Sequence, residues 1–106
     1  MSANTQKSFF QGRYSPVDDA VFQQYALVDT EIVSKTPDNI TDDEAATIPA
    51  GSITSLLALF QHSGIPFPEH GPTATGKPVL ILGGSSSVGQ FGEQTSNVQS
   101  LTIVHA

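Results

Sequence analysis

"VLILGGSSSVGQ", residues 79–90, decides how this chain is read. Four apolar residues run into two glycines, three serines, a valine and a third glycine. The 79–82 run lacks polar alternation, which predicts a strand buried on both faces, as in a parallel sheet. A strand that breaks at glycines and opens into a helix has the makings of a phosphate site. The first amides of a helix have no intrahelical acceptor and carry partial positive charge. Glycines let the backbone turn tightly and approach a pyrophosphate closely. Against the pattern G-x-G-x-x-G the register is Gly84, Ser85, Ser86, Ser87, Val88, Gly89, with Ser86 in place of the middle glycine and three hydroxyls as additional donors.

Competing motifs fail on spacing. No Gly-Lys-Ser/Thr follows, so the turn is not a P-loop. A serine nucleophile elbow, G-x-S-x-G, would need glycine where Val88 stands. A GGSSS run is also the composition of a flexible linker. The apolar run before it and the Val-Gly after it favour an ordered turn.

Working outward, "SLTIVHA" (100–106) reads as a second short strand, and "IPFPEHGPTATGKP" (65–78) as a proline- and glycine-rich boundary loop. In "AGSITSLLALFQHSG" (50–64), Ile53, Leu56, Leu57 and Phe60 follow i, i+3, i+4, i+7 and predict an amphipathic helix burying that face. Gly64 supplies a left-handed cap, and Ile65 can fold back on Phe60. His62 sits in the last turn, where partial positive charge is favourable. In "TPDNITDDEAATIP" (36–49), Thr41 and Glu44 stand three apart as a capping box, with Asp42 and Asp43 in the first turn. These acids are therefore structural rather than catalytic. Pro49 either closes this short helix or starts the next. "VFQQYALVDTEIVSK" (21–35) predicts one or two strands with a bend near Asp29 and Thr30. Residues 1–19, polar and broken by Gly12 and Pro16, read as a mobile terminus.

Bulk properties narrow the function. The chain has 106 residues, enough for one modest core. Its net charge is -6, and Lys7, Arg13, Lys35 and Lys77 are its only Lys and Arg residues, which argues against nucleic acid or an anionic membrane as partner. There is no cysteine, so no disulfide scaffold and no thiolate-held zinc. His62, His70 and His105 lie in separate segments without metal-ligand spacing, so no metal is expected. The chain carries neither a signal-peptide pattern nor a run long enough to span a bilayer, and a cytoplasmic location is expected.

Taken together, "FQQYALVDTEIVSKTPDNITDDEAATIPAGSITSLLALF" and "GKPVLILGGSSSVGQFG" resemble the medium-chain dehydrogenase/reductase superfamily, in its zinc-free quinone oxidoreductase and enoyl reductase branch. The likeness covers 14–92. It implies an α/β fold in which 1–48 end a GroES-like catalytic domain, 49–76 form a linking helix and loop, and 77–106 begin a Rossmann domain, so that the fold is incomplete and the chain an internal piece of a reductase. It also implies reduction, with NADPH, of a C=C bond conjugated to a carbonyl in a small enoyl or quinone substrate. By position, Gly84, Ser85, Ser86, Ser87, Val88 and Gly89 would hold the pyrophosphate, and Thr54 would lie near the nicotinamide. No catalytic residue is assigned, and little turnover is expected of the lone chain. The family continues after Gly92 with an amphipathic helix. Here Glu93, Thr95, Ser96 and Asn97 stand where buried residues belong, which argues against a well-packed helix after the turn. The alternative function is a non-catalytic module that associates with a partner, or with itself as a homo-oligomer, through exposed apolar surface.

Overall fold

The computed structural model describes residues 6–12, residue 20 and residues 22–105. The chain divides into two compact units, Met1–Pro49 and Ala50–Ala106. Tyr14, Val21 and most of the 1–19 terminus lie outside the described residues.

In the first unit, β1 (Ser8–Phe10) pairs antiparallel with β2 (Val33–Lys35), Phe9 opposite Ser34. Part of the segment read as a loose terminus is thus a strand. The ladder continues one step further, with Thr36 N donating to Lys7 O at 3.0 Å. The strand expected across 21–29 does not form over its described residues, 22–29. Residues 22–29 pair with no strand among the described residues, and Phe22 and Tyr25 are 100% and 89% exposed. β-branched and aromatic composition favours a strand only where a neighbouring ladder satisfies its backbone. The expected bend is present as a 3-10 turn, Thr30–Ile32, capped by the Asp29 carboxylate, which accepts from Glu31 N at 3.1 Å.

Helix α1 spans Asp42–Leu56 and continues as a π-helical turn, Leu57–His62. Its start is the reciprocal capping box the sequence predicts. Glu44 N donates to Thr41 Oγ1 at 3.2 Å, and Thr41 N donates to Glu44 Oε2 at 2.8 Å. Those bonds, from the Thr41 backbone first and its side chain second, hold the Glu44 carboxyl below its usual range. A carboxylate with a lowered folded pKa contributes stability above its ordinary range and loses it as pH falls through the lowered value. Acidification is therefore expected to fray the start of α1, and Glu44→Gln to flatten that response in far-UV circular dichroism. Identical acid profiles for both chains would count against the cap.

Two expectations for α1 are corrected. Pro49 neither ends nor begins a helix but lies inside α1, which runs through it. The apolar face is buried only at its end: Ile53, Leu56 and Leu57 are 41%, 37% and 44% exposed, while Phe60 is half-buried against the core. Gly51, Ser55 and Leu59, four apart, are buried instead. Small residues on an i, i+4 row let another backbone approach closely, and that approach sets the buried side. Gly64 takes the expected left-handed conformation, φ 69°.

In the second unit, β3 (Pro78–Ile81) and β4 (Thr102–His105) pair in parallel, Ile81 opposite His105. Helix α2 (Ser87–Val98) crosses between them, giving a βαβ unit. β3 is not buried on both faces. Val79 and Ile81 are half-buried, while Leu80 and Leu82 are 58% and 71% exposed, because α2 packs on one face only. The helix after the turn does form, buried at Gly89 and Ser96, and Gln99 just past its end is buried as well. Ser96 and Gln99 are 0% and 1% exposed. Gln99 Oε1 accepts from Thr73 N at 3.0 Å, tying the 65–78 loop to the end of α2. Ser96 Oγ has no hydrogen-bond partner among the described residues, a cost of about 1–3 kcal/mol. The apolar core is small: Leu59, Ala74 and Leu101, with Phe60, Ile65 and Val79 packed against it.

Candidate functional site

The candidate site is the turn from β3 into α2. Gly83 takes φ 70°, a left-handed conformation that glycine adopts without steric cost. Ser86 N donates back to Gly83 O at 3.0 Å and closes the turn. Ser86 is the N-cap of α2, extended at φ -72° and ψ 160°, and its Oγ accepts from Gly89 N at 3.1 Å. Serine is therefore at home where the dinucleotide pattern has its middle glycine: no positive φ is required there, and a cap is gained. Gly89 is buried, and a Cβ on it would overlap Gly83 O and Gly84 Cα. The third glycine of the pattern thus serves close helix–strand approach.

The cap accounts for Gly89 N, and Gln90 N donates to Ser86 O at 2.9 Å. By helix geometry, the amides of Ser87 and Val88 are left without intrahelical acceptors at the positive end of α2. The three serines divide their work. Ser86 caps the helix. Ser87 Oγ faces α1, 2.6 Å from where a Cβ on Gly51 would lie. Ser85 is exposed, and its carbonyl accepts from Gln90 Nε2 at 2.9 Å.

All six turn residues singled out in the sequence come together here. Thr54 lies on α1 and is exposed, and its hydroxyl donates to Ala50 O at 2.7 Å. Its neighbour Ser55, which the sequence did not single out, touches the turn helix. Ser55 Oγ is 2.6 Å from Val88 O and 3.0 Å from Gly51 O, so its single proton favours the Val88 carbonyl. The available sequence signal was the small pair Gly51 and Ser55, four apart, at odds with the apolar stripe.

Near the turn's exit, Glu93 of α2 and His105 of β4 approach at 3.2 Å, Oε1 to Nδ1. Among the described residues no cluster of His, Asp and Glu has metal-ligand geometry. No described helix is long and apolar enough to cross a membrane. An open hollow of about 780 Å³ in the first unit is lined by Lys35, Asp38 and Asp43 together with the Lys7–Asp42 ion pair at 2.6 Å, and carries no convergent chemistry.

The turn thus combines a left-handed glycine, a glycine in backbone contact and two amides without intrahelical acceptors at one helix start. No family model matches the chain. It is 38% identical over 88 residues to the trans-enoyl reductase himH of Aspergillus japonicus, covering 83% of this chain and 26% of that protein. It is 40% identical over 96 residues to the trans-enoyl reductase tazE of Aspergillus terreus, covering 91% and 31%. A zinc-type alcohol dehydrogenase-like protein of Schizosaccharomyces pombe is 37% identical over 94 residues, covering 84% and 27%. Among solved structures, the CurK enoyl reductase superposes with a TM-score of 0.56 at 28% identity, covering 74% of this chain and 21% of that one. A human synaptic vesicle membrane protein VAT-1 homolog-like protein gives 0.55 at 29%, covering 71% and 22%. The chain spans 26–31% of the length of these curated relatives.

Proposed function

Because the chain belongs to the medium-chain dehydrogenase/reductase superfamily, we propose that it is the dinucleotide-binding portion of an oxidoreductase that reduces a C=C bond conjugated to a carbonyl, on a small enoyl or quinone substrate. The observation that carries this reading is the β3–turn–α2–β4 unit with Gly89 packed on Gly83 O. In this reading 1–48 are the end of a GroES-like domain, 49–76 the link, and 77–106 the start of a Rossmann domain, in a cytoplasmic protein.

The residues act by binding and orienting. The Ser87 and Val88 amides and the positive end of α2 meet the pyrophosphate, and the Ser85 hydroxyl adds a donor. Ser86 holds the helix start in place through Gly89 N, and Ser55 braces it from α1 through the Val88 carbonyl. Thr54 stands on the same unit and is proposed to face the nicotinamide side. A bound nicotinamide dinucleotide supplies the hydride, and NADPH is the form the resemblance implies. Turnover depends on placing the acceptor carbon against the cofactor, and these 106 residues are expected to bind without appreciable turnover.

An amide NMR titration of the labelled chain with NADPH tests this. Shifts confined to 83–89 and their neighbours are expected, with no NADPH oxidation when an enone is added. A dispersed spectrum that ignores the dinucleotide would sink the reading. The exposure of Ile53, Leu56 and Leu57 favours a second reading, association through this apolar stripe. Sedimentation as a monomer would exclude self-association.

A further inference from the structure

Resting on the dinucleotide reading, we propose that Ser55 is a positioning residue for the pyrophosphate, acting through the Val88–Gly89 peptide and the Ser86 hydroxyl. A serine inside a helix ordinarily returns its proton to the carbonyl four residues earlier. Ser55 has that acceptor, Gly51 O at 3.0 Å, yet its shorter contact is Val88 O at 2.6 Å, 33 residues away. Ser55 is 3% exposed, so bulk water does not compete for the proton. The Val88 carbonyl and the Gly89 N–H belong to one planar peptide. That plane is held at both edges. Ser55 Oγ donates to its oxygen, and its N–H donates to Ser86 Oγ at 3.1 Å. Ser55, Ser86, Val88 and Gly89 all belong to the second unit.

These bonds run in one direction, from α1 to the mouth of the turn. The Ser55 hydroxyl donates to the Val88 carbonyl, and the Gly89 N–H of the same peptide donates to Ser86 Oγ. A hydroxyl that accepts a bond still has its own proton to give. Ser86 is exposed, and its proton can donate to a phosphate oxygen at the helix start. Hydrogen bonds in such a chain polarise one another, each strengthening the next. An anion at Ser86 therefore draws on Ser55, which it does not touch. Glycine at position 86 would offer no hydroxyl, and the chain of bonds would end inside the turn. Stability gains little from the same contact. By helix geometry, Gly51 O and Val88 O each keep an intrahelical donor without the Ser55 hydroxyl. Alanine is also a better helix former than serine. Removing this hydroxyl is thus expected to separate binding from stability.

The test is a double-mutant cycle on the full labelled chain, Ser55→Ala with Ser86→Gly, read by NADPH titration at the amides of 83–89 and by thermal melts. Glycine is accepted at an N-cap, so Ser86→Gly removes the hydroxyl and leaves the helix start in place. Ser55→Ala is expected to bind NADPH about fivefold more weakly than the native chain, with an unchanged melting midpoint. In the Ser86→Gly background the same change should alter affinity by less than about 1.5-fold. Native affinity in Ser55→Ala overturns the proposal. So does a loss of affinity matched by a fall in the midpoint, or one that persists without the Ser86 hydroxyl, since Ser55 would then be a brace only. Should a variant lose spectral dispersion or measurable binding, the native chain decides. NADPH is expected to move its Val88 carbonyl carbon together with the Gly89 amide, and a Val88 carbonyl that stays in place overturns the proposal. If the native chain binds NADPH and these expectations fail, only the Ser55 assignment falls. If NADPH shifts no amide of the native chain, the dinucleotide reading falls and takes the assignment with it.

Discussion

Gly89→Ala is expected to collapse the turn between β3 and α2, with loss of dinucleotide-induced shifts and about 3 kcal/mol of stability. Two effects oppose each other. Alanine is favoured over glycine inside a helix by about 1 kcal/mol. Against that, the new Cβ would overlap Gly83 O and Gly84 Cα and come within 3.0 Å of Gly84 C. All three atoms are backbone, so no rotamer change can relieve the overlap. The turn must open, which also pulls Gly89 N away from Ser86 Oγ and removes the cap. The steric effect wins, and Gly89→Val adds two further methyl groups to the same overlap. Gly83→Ala is the informative comparison. A Cβ there meets nothing within 4 Å, and only the left-handed φ of 70° is strained, a cost of about 1–2 kcal/mol. Chemical denaturation of the two variants beside the native chain checks the order. A native midpoint for Gly89→Ala would mean that α2 does not approach the turn as described.

Leu101→Ala is expected to unfold most of the second unit. Large-to-small changes at buried leucines cost about 2–5 kcal/mol, the lost transfer energy plus the cavity. Leu101 is 7% exposed and belongs to a cluster whose other buried members are Leu59 and Ala74. It also joins α2 to β4, its N donating to Ser96 O at 3.0 Å. At about 0.05–0.15 kcal/mol per residue, a unit of this size holds roughly 3–8 kcal/mol, so the loss is of the same order as the whole. Leu80, 58% exposed on the uncovered face of β3, is the control, and Leu80→Ala should change the melting midpoint little. Amide dispersion and thermal melts distinguish the two. If both variants melt alike, the core does not lie where Leu59, Ala74 and Leu101 place it.

Both predictions depend on how little apolar material the second unit buries. Helix α2 keeps its place with Ser96 and Gln99 inside, where an apolar face would ordinarily stand. Its hold comes from the Ser86 cap, the Gly89 contact and the bond from Thr73 N to Gln99 Oε1. Thr73 and Gln99, 26 residues apart, leave no local signature. The sequence argued against a packed helix because Glu93, Thr95, Ser96 and Asn97 break the apolar period, and periodicity cannot register the bond from Thr73 N to Gln99 Oε1 across the loop.

What the sequence by itself determined is local. The Thr41–Glu44 capping box, the left-handed Gly64 and the glycine turn between two short strands follow from residues a few positions apart, because caps and turns are made by side chains and dihedrals within one turn of chain. Tertiary structure alone decided which face of α1 is covered, since that depends on which backbone can come close. Gly51 and Ser55 admit the start of α2, and the bulkier Ile53, Leu56 and Leu57 do not. It also decided that 22–29 join no strand among the described residues, because a strand exists only where another strand meets its hydrogen bonds. And it alone brought Glu93 to His105 beside Gly84, since a helix and a parallel strand must first pack before a carboxylate from one can meet an imidazole from the other.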